Sequence, residues 1–214
     1  MRKLFDRLTG NSRPAPLDTD EAEYYSTMFQ DRPDEIETAE NAGTWRARST
    51  SVRAEPFDDI TGQRRFVEVW RAEGQMVELN DAALIRLALH FEYWRVPAGQ
   101  EVIAQDEAGN FLLVVLDGSV SVDRVQSWGG RARLADATLG DILGEMAVLD
   151  SSTRFTSCST MTDSVFAVLE ADVLHRLFNQ EPVLALALMT ALSRRLSLRL
   201  RQVSARLSAL VGRT

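Results

Sequence analysis

The stretch Phe111-Leu-Leu-Val-Val-Leu-Asp-Gly-Ser-Val-Ser-Val-Asp-Arg-Val125 joins six consecutive apolar residues to a second strand-like run through an Asp117-Gly118 turn signal. Apolar residues at adjacent positions leave neither face for water, so 111–116 reads as a strand covered on both sides. Further strand-like runs lie at 92–96, 101–103, 131–135 and 165–169, with a Thr/Ser-rich strand around Cys158. Pro97-Ala-Gly99, Ala108-Gly109-Asn110, Gly129-Gly130 and Gly140-Asp141 punctuate them. Short strands at regular spacing between such signals predict an antiparallel sandwich or barrel.

Helical periods flank this β region. Asn80 or Asp81 caps a helix whose apolar residues are Leu84, Leu87, Ala88 and Phe91. A short helix is expected at 172–178, and Pro182 suits the first turn of a long one reaching about Val211. In that helix Met189, Leu196, Val203 and Leu210 recur every seven residues, with Leu200 and Leu207 interleaved and the seam broken at Ser193. Such a face needs a cover. A parallel homodimer through Met189, Leu192, Leu196, Leu200, Val203, Leu207 and Leu210 is the sharper reading; a helix folded back on its own body is the plainer one. Upstream, 36–80 is mixed, with an apolar run at Phe66-Val-Glu-Val-Trp70 that resembles a strand. Residues 11–35, rich in proline and acids, read as loop with at most a short helix at 19–29. The expected organisation is an extension over 1–79, a β domain over 80–181 and a helix over 182–214.

Composition narrows the class. The chain has 214 residues, 45% of them hydrophobic and 26% charged, enough to bury a sizeable core. One cysteine permits no internal disulfide, and with two histidines a structural zinc site is not expected. The N-terminus shows no apolar signal region and no window is long enough for a membrane span, so a cytoplasmic protein is expected. Leu4, Phe5 and Leu8 with Arg2, Lys3 and Arg7 make at most one amphipathic turn. The charge is uneven: from Arg176 onward seven arginines face the single acid Glu181, while the rest of the chain is acidic. The leucines between those arginines point to a solvated helix face touching the acidic body rather than to a nucleic-acid or membrane patch.

The segment with chemistry is Leu139-Gly-Asp-Ile-Leu-Gly-Glu-Met-Ala-Val-Leu-Asp-Ser-Ser-Thr-Arg-Phe-Thr156. A glycine opening a short helix leaves backbone N–H groups bare for an anion. An arginine on the following loop can pair with phosphate, and a carboxylate can accept from sugar hydroxyls. Those groups suit a cyclic phosphodiester fused to a ribose.

Val96-Pro-Ala-Gly99, Leu116-Asp-Gly-Ser-Val-Ser-Val122, Gly140-Asp-Ile-Leu-Gly-Glu145 and Arg154 together resemble the cyclic nucleotide-binding domain family over 81–210, including the dimer helix of the bacterial catabolite activator. The resemblance implies a mainly β fold with flanking helices: an eight-stranded β jelly roll, a long C-terminal helix and an N-terminal extension. It implies a phosphate-binding cassette in which the Gly144 amide meets phosphate, Glu145 binds the ribose 2′-hydroxyl and Arg154 neutralises the phosphate. The implied ligand-binding set is Leu143, Gly144, Glu145, Met146, Ala147, Arg154, Phe155, Thr156 and Arg199, with cAMP or cGMP as ligand and no cofactor or metal. Three departures stand out. Phe155 occupies the place of a small residue, where its ring would stack on a purine or fill the pocket. Thr153 replaces a common proline. Arg199 and Leu200 stand where a hydroxyl pair reads adenine. No DNA-recognition helix is expected after the long helix, so sequence-specific nucleic-acid binding is not.

The expected function is a non-catalytic regulatory receptor that senses a cyclic nucleotide and acts on a protein partner. The alternative is a degenerate scaffold that mediates protein–protein interaction without nucleotide. His90 and His175 read as packing or surface residues, Cys158 as a small buried hydrophobe and Trp128 as a hairpin-tip aromatic. No nucleophile elbow, Walker loop, HExxH or dinucleotide fingerprint occurs.

Overall fold

The computed structural model describes residues 43–72 and 79–211, all within the unit Glu40–Thr214. The helix expected at 19–29, the amphipathic turn at the N-terminus and the Leu210 side chain lie outside the described residues. The elements run α1 (Trp45–Ser51), β1 (Glu55–Pro56), α2 (Asp59–Ala72), α3 (Asp81–Ala88), β2 (Glu92–Val96), β3 (Glu101–Ile103), β4 (Phe111–Asp117) and β5 (Val120–Val125). There follow β6 (Arg131–Ala137), β7 (Ile142–Leu143), α4 (Glu145–Asp150), β8 (Ser157–Thr160), β9 (Ser164–Glu170), α5 (Ala171–Gln180) and α6 (Pro182–Val211).

Two antiparallel sheets face each other, one in the order β1-β2-β9-β4-β7 and one in the order β3-β8-β5-β6. Strand β4 is buried at six consecutive positions, as its unbroken apolar run requires. Period two sorts the side chains between two cores. Phe111, Leu113 and Val115 enter the inter-sheet core with Phe166, Val168 and Cys158. Leu112, Val114 and Leu116 face an outer core built with helices α2, α3, α5 and α6. The expected β fold with flanking helices is thus present, with β2 to β9 as its eight strands and β1 as an added edge.

The run Phe66-Val-Glu-Val-Trp70 is helical, not a strand: it lies inside α2. Its β-branched valines suggest a strand locally, but Gly62, Phe66, Val69 and Trp70 share one buried helical face, and that packing overrides propensity. Phe66 stacks on Trp70 at 4.5 Å between centroids. Asn80 caps α3 through a bond accepted from the Ala83 amide at 2.9 Å.

Helix α6 divides at its middle. Leu184, Leu188, Ala191 and Leu192 are buried in the outer core, and Met189 packs against it. This corrects the expected interface at Leu192, which is buried in the chain's own body, while Met189 is half-buried against it. Beyond Arg195 the cover ends, and Leu200, Val203 and Leu207 are exposed. Among the described residues no helix is long and apolar enough to cross a membrane.

Candidate functional site

Strand β7 delivers the chain to Gly144, whose φ of +79° is a left-handed conformation that glycine adopts without strain. The turn places Leu143 in the inter-sheet core, buries Glu145 and Ala147, and leaves Met146 exposed. After α4, Arg154 returns to within bonding reach of Gly144. The structure therefore brings together Leu143, Gly144, Glu145, Ala147 and Arg154.

Arg154 points inward. It is 3% exposed, and its Nη1 donates to the Gly144 carbonyl at 2.6 Å and its Nη2 to the Phe111 carbonyl at 2.7 Å. Its guanidinium carbon lies 4.5 Å from the centroid of the Phe111 ring, a cation–π contact. Burial pulls its pKa down from the usual guanidinium range to about 10. Gly109 runs beneath it, so close that a Cβ there would lie 1.9 Å from Nε. The main chain of Arg154 is held as well: its N–H donates to Glu107 and its carbonyl accepts from Asp106, both at 2.8 Å.

Glu145 is 4% exposed, and its Oε1 accepts from Arg199 Nη1 of α6 at 2.7 Å. Arg195, one turn earlier, lies 3.8 Å from Asp141. The basic helix thus touches the acidic body at the cassette itself.

Phe155 is exposed and does not fill the space beside Arg154, which Phe111 lines instead. The Arg124 guanidinium carbon sits 4.0 Å from the Phe155 centroid, and Arg124 donates to the Phe155 carbonyl. Thr156 is half-buried. An open cavity of about 540 Å³ lies nearby, lined by Gln105, Arg124, Gln126, Arg131 and Ser157 among others, and by none of the cassette residues. Cys158 is buried, and burial pushes its thiol up to about 12. His90 Nε2 lies 3.2 Å from Glu181 Oε1, an acid that sequence spacing does not bring near it. Trp128 is exposed in the turn between β5 and β6.

Sequence reasoning missed Phe111, Gly109 and Arg124. The first two belong to a strand start and a turn, and nothing in their spacing relates them to a residue more than forty positions away. Arg124 alternates on its strand like any half-exposed residue.

Residues 93–181 match the family model of the cyclic nucleotide-binding domain. The cGMP-dependent protein kinase egl-4 of Caenorhabditis elegans is 28% identical over 144 residues, covering 61% of this chain and 18% of the kinase. The CRP-like cAMP-activated global transcriptional regulator of Mycobacterium tuberculosis is 25% identical over 129 residues, covering 60% of this chain and 58% of the regulator. The chain thus spans less than two thirds of either relative. A crystal structure of a cyclic nucleotide-binding domain from Methylobacillus flagellatus superposes with a TM-score of 0.65 at 22% identity, over 75% of this chain and 88% of that one, and is similar in fold.

Proposed function

We propose that this chain, whose residues 93–181 match the family model of the cyclic nucleotide-binding domain, is a non-catalytic regulatory receptor that binds cAMP or cGMP and passes occupancy on through α6. The observation that carries this reading is the convergence of Gly144, Glu145 and Arg154 at one buried spot, with Glu145 paired to a residue of the long helix.

An entering ring phosphate draws Arg154 away from two neutral carbonyls, because a charge-assisted bond to an anion is the stronger one. A ribose hydroxyl that donates to Glu145 competes with Arg199 for the same carboxylate and loosens α6 from the cassette. Such a ligand shifts the helix only by its differential affinity for the two arrangements. Exposed Leu200, Val203 and Leu207, continued by Leu196, give α6 a face for a second copy. The receptor then acts as a cytoplasmic homodimer on a protein partner.

One observation favours the second reading, a scaffold that mediates protein contacts without nucleotide. Arg154 and Glu145 already have protein partners. Calorimetric titration of the full chain and of Arg154→Gln with cAMP and cGMP decides between them. Saturable heat that disappears in Arg154→Gln supports the receptor. Absence of heat at millimolar nucleotide, with the protein folded, leaves the scaffold.

A further inference from the structure

Helix α1 reaches the same loop that Arg154 holds. Trp45 is fully buried in the inter-sheet core, where its ring meets the Phe111 ring edge-on at 5.4 Å and 71°. Phe111 is also the residue that gives Arg154 both a carbonyl and an aromatic face. One side chain thus stands between the first described helix and the cassette arginine.

The contacts repeat along the preceding loop. Arg48 of α1 pairs with the Glu107 carboxylate, while the Glu107 carbonyl accepts the Arg154 N–H. The Asn110 N–H donates to the Gly43 carbonyl at 3.1 Å, just ahead of α1. Ala108 bridges to Thr153, and Gly109 lies under the Arg154 side chain. Residues 106–111 are therefore gripped by α1 and by the arginine together. Among the described residues the Trp45 indole N–H has no hydrogen-bond partner, and the contacts given for the ring there are packing against Phe111 and Trp94.

We propose that α1 sets how readily Arg154 leaves its internal partners, so that Trp45 and Arg48 are positioning residues for the cassette. This rests on the receptor reading in one respect: a nucleotide phosphate is what the arginine leaves them for. With α1 seated, the loop presents the Phe111 carbonyl and ring in the geometry that holds Arg154 inward. With α1 loosened, the loop relaxes and the inward arrangement loses its advantage. Apparent affinity scales with the fraction of molecules in the binding-competent arrangement, so weakening α1 tightens nucleotide binding.

The test uses the full chain with Glu107→Gln, which removes one charge from a half-exposed pair, and Trp45→Leu, which removes the aromatic edge. Hydrogen exchange over 106–111 and 144–154 is read alongside calorimetric titration with cAMP and cGMP. Faster exchange in both segments, with a dissociation constant lowered by about fivefold, is the expected result. Unchanged exchange at 144–154 in both variants overturns the proposal, as does unchanged affinity where the parent chain binds. If no variant takes up nucleotide while exchange at 144–154 still responds, the positioning role stands and the receptor reading is what fails. Should Trp45→Leu not fold, Glu107→Gln decides alone.

Discussion

Glu145 and Arg199 meet at 2.7 Å although they are 54 residues apart in sequence, the carboxylate buried and the guanidinium half-exposed. The pair fastens the middle of α6 to the turn that shapes the cassette. Its two ends are unequal. Losing the guanidinium strands a buried charge, whereas losing the carboxylate frees a side chain that water can still reach.

Arg199→Gln is therefore expected to lower stability by about 1 kcal/mol, a modest figure because water screens the exposed partner. Glu145→Gln added to it recovers most of the loss. Urea midpoints of the two single variants and the double variant check this. Additive losses would show that the pair is not coupled.

Gly109→Ala places a methyl group where Arg154 now lies, 1.9 Å from Nε and 2.2 Å from the guanidinium carbon. The arginine can yield only by giving up its bonds to Gly144 and Phe111, so a loss of about 2 kcal/mol is expected. In an Arg154→Ala background the same substitution is expected to cost far less. Chemical denaturation of both pairs provides the comparison, and an equal cost in the two backgrounds would place the clash elsewhere.

Cys158 is 1% exposed, and burial holds its thiol near pKa 12, so the reactive thiolate is scarce at neutral pH. A disulfide reagent at pH 8 is expected to label the native chain only through opening of the sheets and to reach one thiol per chain in urea. Rapid stoichiometric labelling of the folded protein would contradict the packing described.

The two halves of α6 call for opposite outcomes. Leu192→Ala opens a cavity in the outer core and is expected to cost about 2–5 kcal/mol. Leu200→Glu with Leu207→Glu is expected to leave the melting temperature within a few degrees and to halve the mass seen by light scattering. A parent chain that is already a monomer at tens of micromolar would remove self-association as the role of that face.

The β domain was legible because its strands announce themselves twice, through turn residues and through apolar spacing. The continuous run at 111–116 leaves no face for water, and both of its faces are covered, one by a sheet and one by a set of helices. Two errors have physical causes. Phe66 to Trp70 has β-forming residues on a helix whose packing outweighs their preference. Leu192 stands one position before the break in the heptad seam at Ser193, but where the body's cover ends along a helix is a property of the tertiary fold. In the cassette, residue types and spacing single out Gly144, Glu145 and Arg154 as candidates, since chemistry fixes what an anion site needs, and the fold brings the three close together. The direction of the Arg154 side chain is set by Phe111 and Gly109, whose nearness to it arises only when the sheets close.

Helix α6 is rooted at one end and bare at the other, and it is 30 residues long. At 1.5 Å per residue it measures about 45 Å. It is a lever arm whose free part, beyond the last buried leucine, spans about 25 Å, so a tilt of about five degrees carries the tip through about 2 Å. The fulcrum lies where the last buried leucines give way to the arginines, so a small movement at the cassette is amplified in distance at the tip and delivered there with proportionately less force.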